Sequence, residues 1–174
     1  MKTSLDNATG KTTNEQIAAM HKPAVVSADQ WQKSWEELLI KEEEIAAPID
    51  IVFETILEQM GPLNSTPEKP MPMVLEAWPG GRWYRDLGNN TGHFWGNVQA
   101  IKAPSLLEIS GPLFMSMPAV SNLQYRLTED NGVTHMRFTH RAVGWLTENE
   151  RRAEEGWKPL IERIRTAAIE RAGR

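Results

Sequence analysis

The C-terminal end of the chain constrains its fold most strongly. Trp157, Ile161, Ile164 and Ala168 recur at i, i+4, i+7 and i+11, with Leu160 beside them. That spacing places them on one face of a helix. An apolar face this long must be buried against something broad. Thr147 and Glu150 form a capping box where the helix opens. Pro159 lies inside it and is expected to kink it near Glu155, because the ring clashes with the carbonyl four residues back. Gly156 is expected to let the helix approach its partner closely.

The partner is a sheet, because the middle of the chain reads as strands and turns. Residues 73–78 and 82–87 flank Pro79-Gly80-Gly81, a hairpin signal. Residues 89–92 form a second turn, and strands follow at 93–102 and 106–110 around Pro104-Ser105. Strands at 122–129 and 133–142 are joined through Asp130-Asn131-Gly132, where Asn-Gly favours a tight primed turn.

Ahead of the strands, Pro48 suits a first helical position. Ile49, Val52, Phe53, Ile56, Leu57 and Met60 then fall on one helical face, and Gly61 ends it. A strand is expected from about Ile40. Earlier still, Ser27 and Gln30 form a capping box, and Trp31, Trp35, Leu38 and Leu39 keep helical spacing. The resulting organisation is a polar, disordered tail over 1–26, a helical arm over 27–38 and one domain over 39–174. The fold class is α+β: a curved antiparallel sheet of about six or seven strands wrapped around a long C-terminal helix, with an extra N-terminal helix.

Composition narrows the function. A net charge of -4 without a basic stripe argues against nucleic acid as a partner. The absence of cysteine removes disulfides, thiolate nucleophiles and zinc-thiolate sites, and fits a reducing cytoplasm. No apolar run reaches the roughly 20 residues that span a bilayer. Seven tryptophans against two tyrosines is unusual, and tryptophan packs cores or lines pockets.

Several local motifs carry a resemblance. They are Ile45-Ala46-Ala47-Pro48 leading into Ile51-Val52-Phe53, then Pro79-Gly80-Gly81-Arg82-Trp83, then Gly96-Asn97-Val98 with Ala103-Pro104-Ser105-Leu106-Leu107. Residues 134–140 and Glu155-Gly156-Trp157 complete the set. In this order they resemble the SRPBCC superfamily, also called START-like or birch-pollen-allergen-like, over about residues 39–172. Within it, the chain looks most like the domains named for activators of a heat-shock-protein ATPase and like polyketide-cyclase-like relatives. The resemblance implies a helix-grip fold with an interior cavity for hydrophobic small molecules. It implies no shared catalytic set.

Strand parity sorts the candidate residues. Met136, Phe138 and His140 share a face, and His135 points the other way, which argues against a metal held by both histidines. His21 lies in the tail and His93 at a strand end, so neither a metal nor a cofactor is expected. His140 is a candidate general acid or base, or else a strand-end histidine bonded to backbone. If Trp83 faces the cavity, Arg85 shares its face and needs a partner: Glu76, another carboxylate or a ligand's anionic group. Phe94 pairs in parity with Val98, Leu107 with Ile109, and Tyr125 with Leu123 and Leu127; Trp157 and Ile161 face them from the helix. Tyr125 could offer its hydroxyl to the cavity. Leu113, Phe114, Met115 and Met117 sit in a segment that could be a lid, a homodimer contact or a packed loop.

Three functions remain open. One is binding of a small hydrophobic or aromatic ligand in the cavity. The second is a cyclase- or hydrolase-like enzyme using His140 or Tyr125. The third is an interaction module built on the Trp31/Trp35 arm and the Met-rich segment.

Overall fold

The computed structural model describes residues 36–113, 118–146 and 153–174, apart from the side chains of 153 and 154. In chain order these form β1 (Glu36–Ile45), α1 (Ile49–Met60), β2 (Val74–Leu75), β3 (Arg82–Gly88) and β4 (Thr91–Lys102). After them come β5 (Leu106–Gly111), β6 (Ala119–Asp130), β7 (Val133–Gly144) and α2 (Ala153–Ala172).

All seven strands join one antiparallel sheet in the order β1-β7-β6-β5-β4-β3-β2. Only β1 is out of sequence order, brought beside β7. Tight turns set the register of two hairpins. Asn89 and Asn90 both take positive φ, 52° and 57°, between β3 and β4. Asn131 and Gly132 do the same, at 51° and 78°, between β6 and β7. Two consecutive positive φ values give a primed turn, whose twist matches the strands.

The period-3.6 face of α2 is buried as expected: Trp157, Leu160, Ile161, Ile164 and Ala168 are 6% exposed or less. They join Val52, Phe53, Ile56 and Met60 of α1 and the inward residues of the sheet in one continuous core. α1 begins after Pro48, and the Ile49 N–H donates to the Glu129 carboxylate at 2.7 Å. That anion satisfies one orphan donor where the helix dipole is positive. At the other end, the Met60 carbonyl accepts the Trp83 indole N–H at 2.8 Å. Both ends of α1 are therefore tied to the sheet by single side chains.

The larger differences from the sequence reading lie at the first two strands. β1 starts at Glu36, four residues ahead of Ile40, so Leu38 and Leu39 belong to a strand. The strand expected over 73–78 shrinks to Val74–Leu75. α2 runs as unbroken α-helix across Pro159. The tail, the arm from Ser27 to Trp35, the capping box of Thr147 and Glu150, and Phe114, Met115 and Met117 lie outside the described residues. No described helix is long and apolar enough to cross a membrane.

Candidate functional site

The interior between the centre of the sheet and α2 is filled. Val98, Leu107, Ile109, Met136 and Phe138 are at most 1% exposed and pack in the common core with Ile161. Aromatic rings form its spine. Tyr125 meets Phe138 at 4.9 Å between centroids, Phe138 meets Trp157 at 5.3 Å, and Trp157 meets His140 at 5.6 Å.

His140 is fully buried. The Trp157 indole N–H donates to His140 Nδ1 at 3.2 Å, and His140 Nε2 lies 3.2 Å from Ser121 Oγ. The indole can only donate, so Nδ1 carries the lone pair and Nε2 the proton. Burial pushes the imidazole down to a pKa of about 4, so it is neutral at physiological pH. His135 faces the opposite way, 46% exposed beside Glu44 at 3.6 Å. Among the described residues no three His, Asp or Glu side chains gather to hold a metal.

The opening lies at one end of the grip. A pocket of about 380 Å³ is bounded by the first turns of α2, by residues 64–71 and by the β3–β4 hairpin. Its walls are mostly apolar: Trp83, Trp95, Trp157, Leu160, Met71 and Pro159. The 64–71 loop is pinned across its neck by Asn64. The Asn64 side-chain amide donates to the Met71 carbonyl at 3.1 Å, and the Met71 N–H donates back to the Asn64 carbonyl at 2.9 Å. From α2, Arg163 reaches into the same pocket.

A β-bulge decides which aromatic residue faces this pocket. Trp83 pairs with Gly96, but Tyr84 pairs with Phe94, which leaves Trp95 as the extra residue. Parity had placed Phe94 on the inner face with Val98. Past the bulge the faces exchange: Phe94 is 45% exposed, and Trp95 packs edge-on against Trp83 at 5.0 Å. Next to the bulge, on the other side of β4, a Cβ on Gly96 would stand 2.7 Å from the Ser110 carbonyl oxygen of β5, so glycine is what lets β4 and β5 close there.

Arg85 does not pair with the Glu76 expected for it. It sits half-buried at the end of the β3–β4 hairpin, in a groove it lines with Asp86, His93 and Phe94. The carboxylate of Glu76, expected for it, is taken by Arg82 through the backbone N–H at 2.9 Å and the guanidinium. Gly156 differs too. Nothing lies within 4 Å of where its Cβ would stand, and it lines the pocket rather than a tight helix–sheet contact. Gly156→Ala should therefore raise stability by about 0.5–1 kcal/mol, the cost of glycine in a helix. A midpoint in urea that falls instead would show a hidden contact.

Two buried polar atoms lack a partner among the described residues, Trp95 Nε1 and the Tyr125 hydroxyl. Burial drives the Tyr125 phenol well above its usual range, and the Arg163 charge acts in the opposite direction. Sequence reasoning missed Trp95, Met71, Asn64 and Arg163. The tryptophan excess was the available signal for the first. The others come together only through the fold. Wider grooves exist on the outside of the sheet, one of about 650 Å³. Charged side chains dominate that one, and Glu42–Arg137 (2.9 Å) and Glu44–His135 are already paired.

A seven-stranded antiparallel sheet gripping one C-terminal helix, with a pocket opening at its end, defines a helix-grip protein of the SRPBCC superfamily. The chain belongs to the family described as activator of Hsp90 ATPase homolog 1-like protein, whose profile matches residues 46–168. Among solved structures, the chain is similar to an uncharacterised protein from Rhizobium leguminosarum. The TM-score is 0.61 at 19% identity, covering 78% of this chain and 95% of that one. CalU16 from Micromonospora echinospora gives a TM-score of 0.55 at 19% identity over 76% of each chain. Ara h 8.0201 gives 0.56 at 10% identity, over 78% of this chain and 99% of that one. At these identities the likeness shows the fold alone. No curated protein matches the chain in sequence.

Proposed function

We propose that this protein binds a small, largely apolar molecule in the pocket between α2, residues 64–71 and the Trp83/Trp95 pair. The observation that carries this reading is the pocket itself. Its volume of about 380 Å³ falls within the range of small-molecule sites, and three tryptophans form its walls. Indoles offer large flat surfaces at low entropic cost and suit aromatic ligands. The unpartnered indole N–H of Trp95, a residue of the pocket wall, adds support, since a polar group of a ligand would gain where it loses.

Acid–base chemistry has weaker support. The His140 imidazole lies behind Trp157 and already accepts that indole's proton. The Tyr125 hydroxyl is buried behind the same aromatic wall. An interaction module would rest on Trp31, Trp35 and Met115, which the described residues do not include.

Thermal denaturation against fatty acids, flavonoids, polyketides and aromatic acids tests the proposal. A ligand at a hundred times its dissociation constant stabilises by about 2.7 kcal/mol. For a chain of this size that moves the midpoint by roughly 5–10 °C. The expected result is a shift confined to one chemical class. A flat response in every class overturns the binding reading.

A further inference from the structure

We infer that the pocket selects molecules carrying one anionic group, a carboxylate or its equivalent, which Arg163 holds at the mouth while the apolar body lies against the tryptophans. This rests on the ligand-binding reading above. Arg163 is half-buried on α2, and among the described residues its guanidinium donates to neutral acceptors. Its Nε donates to Gln59 Oε1 at 3.3 Å and its Nη2 to Asn64 Oδ1 at 3.4 Å. Both contacts are long for charge-assisted bonds, which settle nearer 2.7–2.9 Å.

Among the described residues no carboxylate pairs with Arg163, whereas Arg82, Arg137, Arg165 and Arg171 each have one. A guanidinium drawn out of water without a counter-ion is costly, and an arriving anion would relieve that cost. Gln59 and Asn64 are themselves buried, so they fix the fork in place. A planar guanidinium held this way offers two parallel N–H groups to a carboxylate or sulfonate. Glu68 and Glu155 also line the pocket, but both are exposed, where water and salt screen them. Arg163, half-buried, is screened less than either of them.

The test uses two fluorescent probes that share an aryl-naphthylamine body. One is 8-anilinonaphthalene-1-sulfonate, an anion. The other is N-phenyl-1-naphthylamine, which is neutral. The expected result is that the protein binds the sulfonate at least about tenfold more tightly, and that each probe displaces the other. Arg163→Gln should remove most of that ratio, and Arg163→Lys should retain part of it. A ratio near one in the unaltered protein overturns the anion inference while leaving the pocket reading intact, and needs no variant. Failure of the probes to displace one another places the sulfonate elsewhere and overturns it too. If neither probe binds, the pocket reading falls and takes this inference with it.

Discussion

Trp157→Ala should lower the unfolding free energy by about 3–5 kcal/mol, the range for removing a large aromatic side chain from a core. Trp157 is 6% exposed and packs against both Phe138 and His140. Its removal costs the transfer energy of the ring and leaves a cavity. It also leaves His140 Nδ1 buried without the indole that donates to it. The rigid sheet backbone on one side and Leu160 on the same helix limit how far the site can collapse. Domains of this size hold only about 5–15 kcal/mol in total, so the loss is a large fraction. Trp157→Phe separates the two effects. It keeps most of the ring but loses the N–H, and should cost about 1–3 kcal/mol, the price of a buried acceptor left unpaired. Urea unfolding followed by circular dichroism at pH 7.5 measures both variants. A cost below about 1 kcal/mol for the alanine variant would mean that the helix and sheet are not held together at this point.

The same residue explains why so much of the fold was legible in the sequence. Trp157, Ile161, Ile164 and Ala168 carry an uninterrupted helical period, and such a face has few ways to be buried. Asn131-Gly132 fixed its hairpin because few residues accept two consecutive positive φ values. β1 was harder. Its inward side carries Glu37, Leu39, Lys41, Glu43 and Ile45, so three charged residues at the sheet edge break the alternation that marks a half-buried strand. The bulge at Trp95 was invisible for another reason. Parity counts residues, and an inserted residue changes the count without changing the composition. The pocket mouth was least legible. Gln59, Asn64 and Arg163 meet from α1, a loop and α2, with Arg163 some hundred positions from its partners. No local pattern encodes that meeting.

Acid should destabilise the protein between pH 6.5 and about 4, through His140. The imidazole titrates at its ordinary value of 6.5 in the unfolded chain and at about 4 in the fold, because burial disfavours its charged form. The geometry points the same way. A proton on Nδ1 would face the Trp157 N–H, donor against donor. Between the two pKa values the unfolded chain binds the extra proton and the native state does not. Stability is therefore complete above pH 6.5 and declines as pH falls toward 4. At 1.36 kcal/mol for each pKa unit, the full decline is about 3 kcal/mol. A second, lower window belongs to Glu76, whose carboxyl is held below its usual value of 4.5 by the Arg82 hydrogen bonds, so its contribution is lost only in stronger acid. Urea midpoints at pH 7.5, 6.5, 6.0 and 5.5 trace the upper window, clear of the Glu76 window that opens near 4.5. His140→Gln keeps an amide oxygen to accept the indole proton and removes the titration, so its profile should be flatter than that of the unaltered protein by most of the decline over that range. Parallel profiles for the two would show that the acid sensitivity arises elsewhere, and that the buried imidazole charges without cost.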